Sequence, residues 1–233
     1  MHLGIETEKR KAAAFTMVEL AAVLAVLALL AGLGWLSVKS AVENRRRAQC
    51  QANLHQIGAA LQLYAKDYAG RLPDCTADNP HFQGSVWPWD VHMNLVAELE
   101  QRGATRKVLY CPSNPGMNDD RHWDFPKYTG SQTRVLGYVF LFAGCRDVPR
   151  EMWRVDLRGD AARKPSVVEL AADATVSQNW DYSHIKGFSM DRTSHLSGSK
   201  PAGGNVLFED GNVAWRPFAQ MKHQIVGQVV WDF

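Results

Sequence analysis

The sequence predicts an α+β fold, with a long N-terminal helix, membrane-spanning in its first half, packed on a small antiparallel sheet. Three observations predict it. Residues 20–38 carry no charge and are rich in Leu, Ala and Val. Leu54, Ile57, Leu61, Tyr64 and Tyr68 then recur at spacings of three and four, the stripe of a one-sided helix. Toward the C-terminal end, two apolar runs, Asn205-Val206-Leu207-Phe208 and Val213-Ala214-Trp215, flank Glu209-Asp210-Gly211-Asn212. Asp-Gly suits the positive φ angles of a tight hairpin turn.

Each element follows in order. Counted from Phe15, the apolar stretch is about 24 residues, or roughly 36 Å of helix, enough to cross a hydrocarbon core of about 30 Å. Trp35 stands near its far end, where an aromatic ring suits the lipid–water boundary. Lys9, Arg10 and Lys11 precede it, and Lys39, Arg45, Arg46 and Arg47 follow, so charge alone does not orient it. The helix continues along residues 39–69 with Gln49, Asn53, Gln56, Gln62 and Lys66 on the polar face, and Gly70 and Pro73 stop it. From Phe15 to Tyr68 one helix would run roughly 80 Å. A two-helix alternative breaks near Lys39, and Gly32 and Gly34 allow a local bend.

After Gly70 prolines punctuate a loop-rich domain, residues 70–233. Residues 91–101 read as a short helix. Residues 106–110, 135–143 and 165–172 read as strands. Eight tryptophans are present; those in loop-like text serve first as anchors over a small core, and otherwise as platforms for a sugar or an exported partner. The net charge of +2 is too small to argue for nucleic acid.

Glu19 is the one charge at the head of the apolar run. A carboxylate in lipid costs several kcal/mol or more, so it calls for a partner. Its own helix dipole supplies under about 1 kcal/mol. An ordinary secretory signal does not fit, because Ala12-Ala13-Ala14 lies before the apolar stretch rather than after it.

A basic leader, a small residue, then Phe15-Thr16-Met17-Val18-Glu19 and an apolar helix resembles the class III signal of type IV pilins and type II secretion pseudopilins. The resemblance implies a leader of residues 1–14, cleavage by a prepilin peptidase between Ala14 and Phe15, and methylation of the Phe15 amine. The family usually carries Gly where Ala14 stands, and Leu where Met17 stands. Glu19 would pair with the N-terminal amine of a neighbouring subunit, and a buried carboxylate is tolerable when a cation meets it. The implied partners are the peptidase, an inner-membrane assembly platform, membrane lipid and other pilin-like subunits. The implied location is the bacterial inner membrane, single-pass, with the C-terminal domain exported. Ser194-His195 followed by Gly203 to Val213 also resembles bacterial pilin-like proteins marked by a His and an Asp-Gly, with the family's usual gap of nine residues widened to fourteen here. Cys111-Pro112-Ser113 and Ala172-Asp173-Ala174 resemble segments of the same group.

The function expected is therefore a non-enzymatic fibre subunit. The alternative is a membrane-anchored exported module that binds a carbohydrate or a metal. Asp173, Asp181, His184, Asp191, His195 and Asp210 are candidate ligands, with Asp173, His195 and Asp210 foremost. Calcium is the candidate ion where oxygens dominate and a transition metal where histidines enter. The competing reading has His195 and Asp210 bonding loop backbone to hold the hairpin. Ser194, His195 and Asp210 form no hydrolytic triad on sequence grounds, since no nucleophile elbow surrounds the serine. Of four cysteines, Cys75 and Cys111 lie in loop-like text and are the favoured disulfide pair, with Cys50 a buried thiol on the helix.

Overall fold

A computed structural model of the chain describes residues 16–76, 78–84, 87–144, 148–153, 157, 168–185 and 192–233, without the side chains at 31, 33–37 and 151. The predicted cleavage site, Ala14 and Phe15, and the candidate ligand Asp191 lie outside the described residues. Two compact units are present, one ending at Val42 and one spanning Glu43–Phe233.

Helix α1 spans Met17–Asp67 as one element, without the alternative break near Lys39. Thr16 and Glu19 cap its start reciprocally. The Thr16 N–H and hydroxyl donate to Glu19 Oε2 at 2.8 and 2.9 Å, and the Glu19 N–H donates to Thr16 Oγ1 at 3.2 Å. In the first unit Met17, Val18, Leu20, Leu24, Leu29 and Leu30 are all exposed, Met17 by 85%. Among the described residues no helix is long and apolar enough to cross a membrane; the predicted span includes residues whose side chains fall outside that description. The helix ends where Gly70 N–H reaches back to Ala65 O at 2.6 Å.

The second unit adds β1 (Asp90–His92), α2 (Met93–Gln101), α3 (Asp120–Trp123), α4 (Phe125–Thr129), β2 (Thr133–Val135), β3 (Tyr138–Phe140), β4 (Glu169–Asp173) and β5 (Thr175–Gln178). It continues with β6 (Leu196–Ser197), β7 (Lys200–Pro201), β8 (Gly203–Phe208), β9 (Val213–Pro217), β10 (His223–Val226) and β11 (Val229–Asp232). The central sheet is antiparallel in the order β3-β4-β8-β9, and a second has the order β10-β11-β5. Cys50, Leu54, Ile57 and Leu61 bury one face of α1 into the same core as Phe140, Ala171, Val206 and Leu207. The contact is close: a Cβ placed at Gly58 would stand 2.9 Å from Leu207 Cδ1. The predicted α+β fold, a helix on small antiparallel sheets, is the fold observed.

Three local expectations change. The predicted strand at 106–110 is a run of turns, in which Val108 N–H bonds back to Thr105 O at 2.8 Å. The predicted strand at 135–143 is divided. Leu136 N–H turns to Trp89 O and Gly137 N–H to Leu109 O, so the chain changes pairing partner between β2 and β3. Tyr68, expected on the buried stripe, is 44% exposed where the helix has already ended.

Candidate functional site

The Glu43, Arg47, Cys50 and Leu54 positions follow one another at four, three and four residues, which puts them along one face of α1. That face carries polar chemistry at its start and apolar packing further on. Cys50 is fully buried and joins Cys111 in a disulfide, with Cα atoms 5.4 Å apart. This corrects the expected Cys75–Cys111 pairing. Cys75 is buried elsewhere, where its N–H donates to Ala143 O at 2.7 Å. Loop-like text around Cys111 was a sound guide to one partner. The other sits on the helix because the 109–111 segment lies directly over α1, where Asn53 Nδ2 donates to Tyr110 O at 3.2 Å.

Asp173 closes β4 and is completely buried. Its Oδ2 accepts both the backbone N–H and the side-chain amide of Asn205, at 2.8 and 2.9 Å, on neighbouring strand β8. Its Oδ1 is buried and has no hydrogen-bond partner among the described residues. His195 is held in the left-handed backbone region at φ 50°, a conformation in which His is over-represented among non-glycine residues. Its N–H donates to Ser113 Oγ at 3.1 Å, and its carbonyl accepts the Ala202 N–H at 2.9 Å.

These backbone bonds aim the buried imidazole at three groups. Nδ1 lies 2.7 Å from Glu43 Oε1. Nε2 lies 3.1 Å from Asp173 Oδ2 and 3.3 Å from Cys111 Sγ. Trp215 meets the ring edge-on at 5.3 Å, and the Arg47 guanidinium covers that indole at 4.1 Å. Burial alone would lower the His195 pKa, yet Asp173 and Glu43 beside it lift it to about 9. Burial pushes Glu43 up, but His195 and Arg47 outweigh it and hold the carboxyl below its ordinary value. The ring is thus an imidazolium at neutral pH, held beside Glu43 and Asp173.

Of the residues expected to gather, Asp173 and His195 meet and Asp210 does not. Asp210 is exposed and spans the β8–β9 turn, where its Oδ1 accepts the Asn212 N–H at 2.9 Å. The reason is the turn itself: Gly211, at φ 82°, folds the hairpin, and a short side chain there satisfies local backbone first. Asp181 and His184 bond within their own exposed turn through Ser183. Ser194 Oγ is buried and has no hydrogen-bond partner among the described residues, so it does not pair with the His195 ring there. The residues that sequence reasoning missed are Cys50 and Glu43, both on the helix. The i, i+7 placement of a carboxylate and a cysteine on the buried face was the available signal. One donor atom from each of Cys50, Cys111, Asp173 and His195 lies within 4.8 Å of the others, and all four residues are buried. Sulfur and imidazole dominate this set, which departs from the oxygen shell that calcium takes.

Comparison with known proteins adds one likeness. Residues 39–129 match the model of a protein family, SBP_bac_10, described as a protein of unknown function (DUF1559). No curated protein and no solved structure matches the chain. The matched stretch takes in Glu43, Cys50 and Cys111 of the buried cluster, and stops short of Asp173 and His195.

Proposed function

We propose that the chain is a structural subunit of a type IV pilus-like or type II secretion pseudopilus fibre. It is cut between Ala14 and Phe15, methylated on Phe15, and held in the bacterial inner membrane with its C-terminal domain exported. The observation that carries this reading is the change of character along α1. Its described apolar residues from Met17 to Leu30 are exposed, whereas Cys50, Leu54, Ile57 and Leu61 on the same element are fully buried. An apolar helical surface of that extent is left for lipid or for neighbouring helices to cover. The resemblance around Phe15 to Glu19 supports neighbouring helices, and a disulfide in the globular unit suits an oxidising compartment. The Thr16–Glu19 cap fixes the carboxylate at the helix start, the position from which it would meet a neighbouring subunit's amine.

Mass spectrometry of the membrane-extracted protein tests the proposal. A chain beginning at methylated Phe15 is the expected result, and an intact leader, or a cut beyond the apolar stretch, would overturn it. A groove of about 940 Å³ lined by Tyr64, Tyr68, His81, Phe82 and Glu98, with Tyr68 exposed at 44%, favours the second reading, an anchored module that binds carbohydrate. Glycan-array binding by a chain that keeps its leader would select that reading.

A further inference from the structure

We propose that Cys50, Cys111, Asp173 and His195 form a binding site for one zinc-class divalent ion in the reduced chain. The disulfide is then the metal-free, oxidised alternative of the same four side chains. The inference stands apart from the fibre reading and rests on the buried cluster alone.

Four donors from four separate segments converge here: the helix, the 109–111 segment, the end of β4 and the loop before β6. Two sulfurs, one imidazole and one carboxylate make a four-donor set of the kind that closes a tetrahedral zinc shell. The second layer is also in place. Glu43 Oε1, 2.7 Å from His195 Nδ1, holds that nitrogen's proton and turns Nε2 toward Cys111 and Asp173. This carboxylate–histidine arrangement fixes the ring of metal-bound histidines. Asn205 holds the Asp173 carboxylate in position through two donors. A separate sign of room for a cation is Asp173 Oδ1: His195 Nε2 meets only Oδ2, at 3.1 Å, and Oδ1, in a residue with no exposed surface, has no hydrogen-bond partner among the described residues. Such an atom is costly unless something positive meets it.

The two states exclude one another by geometry. Sulfurs at about 2.3 Å from a tetrahedral zinc stand about 3.8 Å apart, too far for a bond between them. Interconversion balances with a dithiol as reductant. The dithiol gives two electrons and two protons to the Cys50–Cys111 bond and closes to its own disulfide. Metal entry then releases the two thiol protons and the Nε2 proton to solvent, leaving two thiolates and a neutral imidazole as ligands.

The test uses the full chain in detergent micelles, reduced with dithiothreitol and freed of it without oxygen, then titrated with Co²⁺. The expected result is one Co²⁺ per chain, with a sulfur-to-cobalt charge-transfer band and the intense visible bands of four-coordinate cobalt, all erased by Zn²⁺. The oxidised chain should show none of these. Glu43→Gln should keep the sulfur band and weaken Co²⁺ binding by about 10–100-fold, a loss that a purely structural Glu43 would not produce. If the reduced chain loses helical circular dichroism, its recovery on adding metal supports the site. A reduced chain that lacks the sulfur band, whether it stays folded or fails to recover, overturns it. A band that survives the double change Cys50→Ser, Cys111→Ser also overturns it.

Discussion

Glu43 Oε1 lies 2.7 Å from His195 Nδ1, although 152 residues separate them. The contact joins the helix to the loop before β6 and completes a Glu43–His195–Asp173 row.

That row makes stability depend on pH. Because the folded pKa of His195 is lifted from 6.5 to about 9, its contribution is full below about pH 6.5 and is lost as pH rises through 9. The amplitude is on the order of 3 kcal/mol. Glu43 acts in the opposite sense: its lowered pKa contributes above about pH 4.5 and is lost as pH falls below it. Urea midpoints should therefore fall between about pH 7 and 9.5, and His195→Gln should flatten that alkaline fall. An alkaline limb unchanged in that variant would contradict the assignment.

Removing the Cys50–Cys111 bond should cost about 4 kcal/mol by loop entropy, since it closes a separation of 61 residues. Metal-free Cys50→Ser, Cys111→Ser chain, compared with oxidised wild type by chemical denaturation, reads that difference directly. The Cys75→Ser variant should keep the oxidised chain's resistance to denaturant to within about 1 to 3 kcal/mol, the cost of a polar group at a buried position.

Gly137→Ala should destabilise by about 1–3 kcal/mol. The added Cβ would stand 2.8 Å from Cys111 N and from Tyr110 Cα, both backbone atoms that cannot swing aside. Thermal unfolding measures the loss.

Leu207→Ala should cost about 2–5 kcal/mol, because Leu207 is fully buried where α1 meets β8 at Gly58. Gly58→Ala meets only the flexible end of Leu207 and should cost less than Leu207→Ala in the same denaturation assay.

Glu19→Ala should leave the unfolding of the Glu43–Phe233 unit unchanged, since its described hydrogen bonds are to Thr16 in the other unit. Incorporation of the variant into filaments should fall sharply, and normal incorporation would remove the role proposed for the carboxylate.

Periodicity made the helix legible in the sequence, because Leu54, Ile57 and Leu61 report the burial of one face directly. Turn chemistry did the same for the β8–β9 hairpin at Gly211. The site was half legible. Asp173 and His195 were found by residue type and resemblance, but nothing local distinguishes Asp210, which serves its own turn, from a ligand. Cys50 and Glu43 were passed over because a helical stripe reads as packing, and only tertiary contact shows which of its members meet the 109–111 segment and His195. The split at Gly137 was hidden for a related reason: pairing partners change between β2 and β3 while the β-rich composition continues.

The Cys50–Cys111 bond also has a mechanical meaning. Tension drawn along α1 into the globular unit reaches Cys50, and the covalent link passes it straight to Cys111, so the chain between them carries no load. Forced unfolding of the oxidised chain should accordingly release about 200 Å less contour length than the reduced chain, for a bypassed separation of 61 residues. Under the proposed fibre role, the redox state of one buried pair of sulfurs would set how far each subunit can stretch.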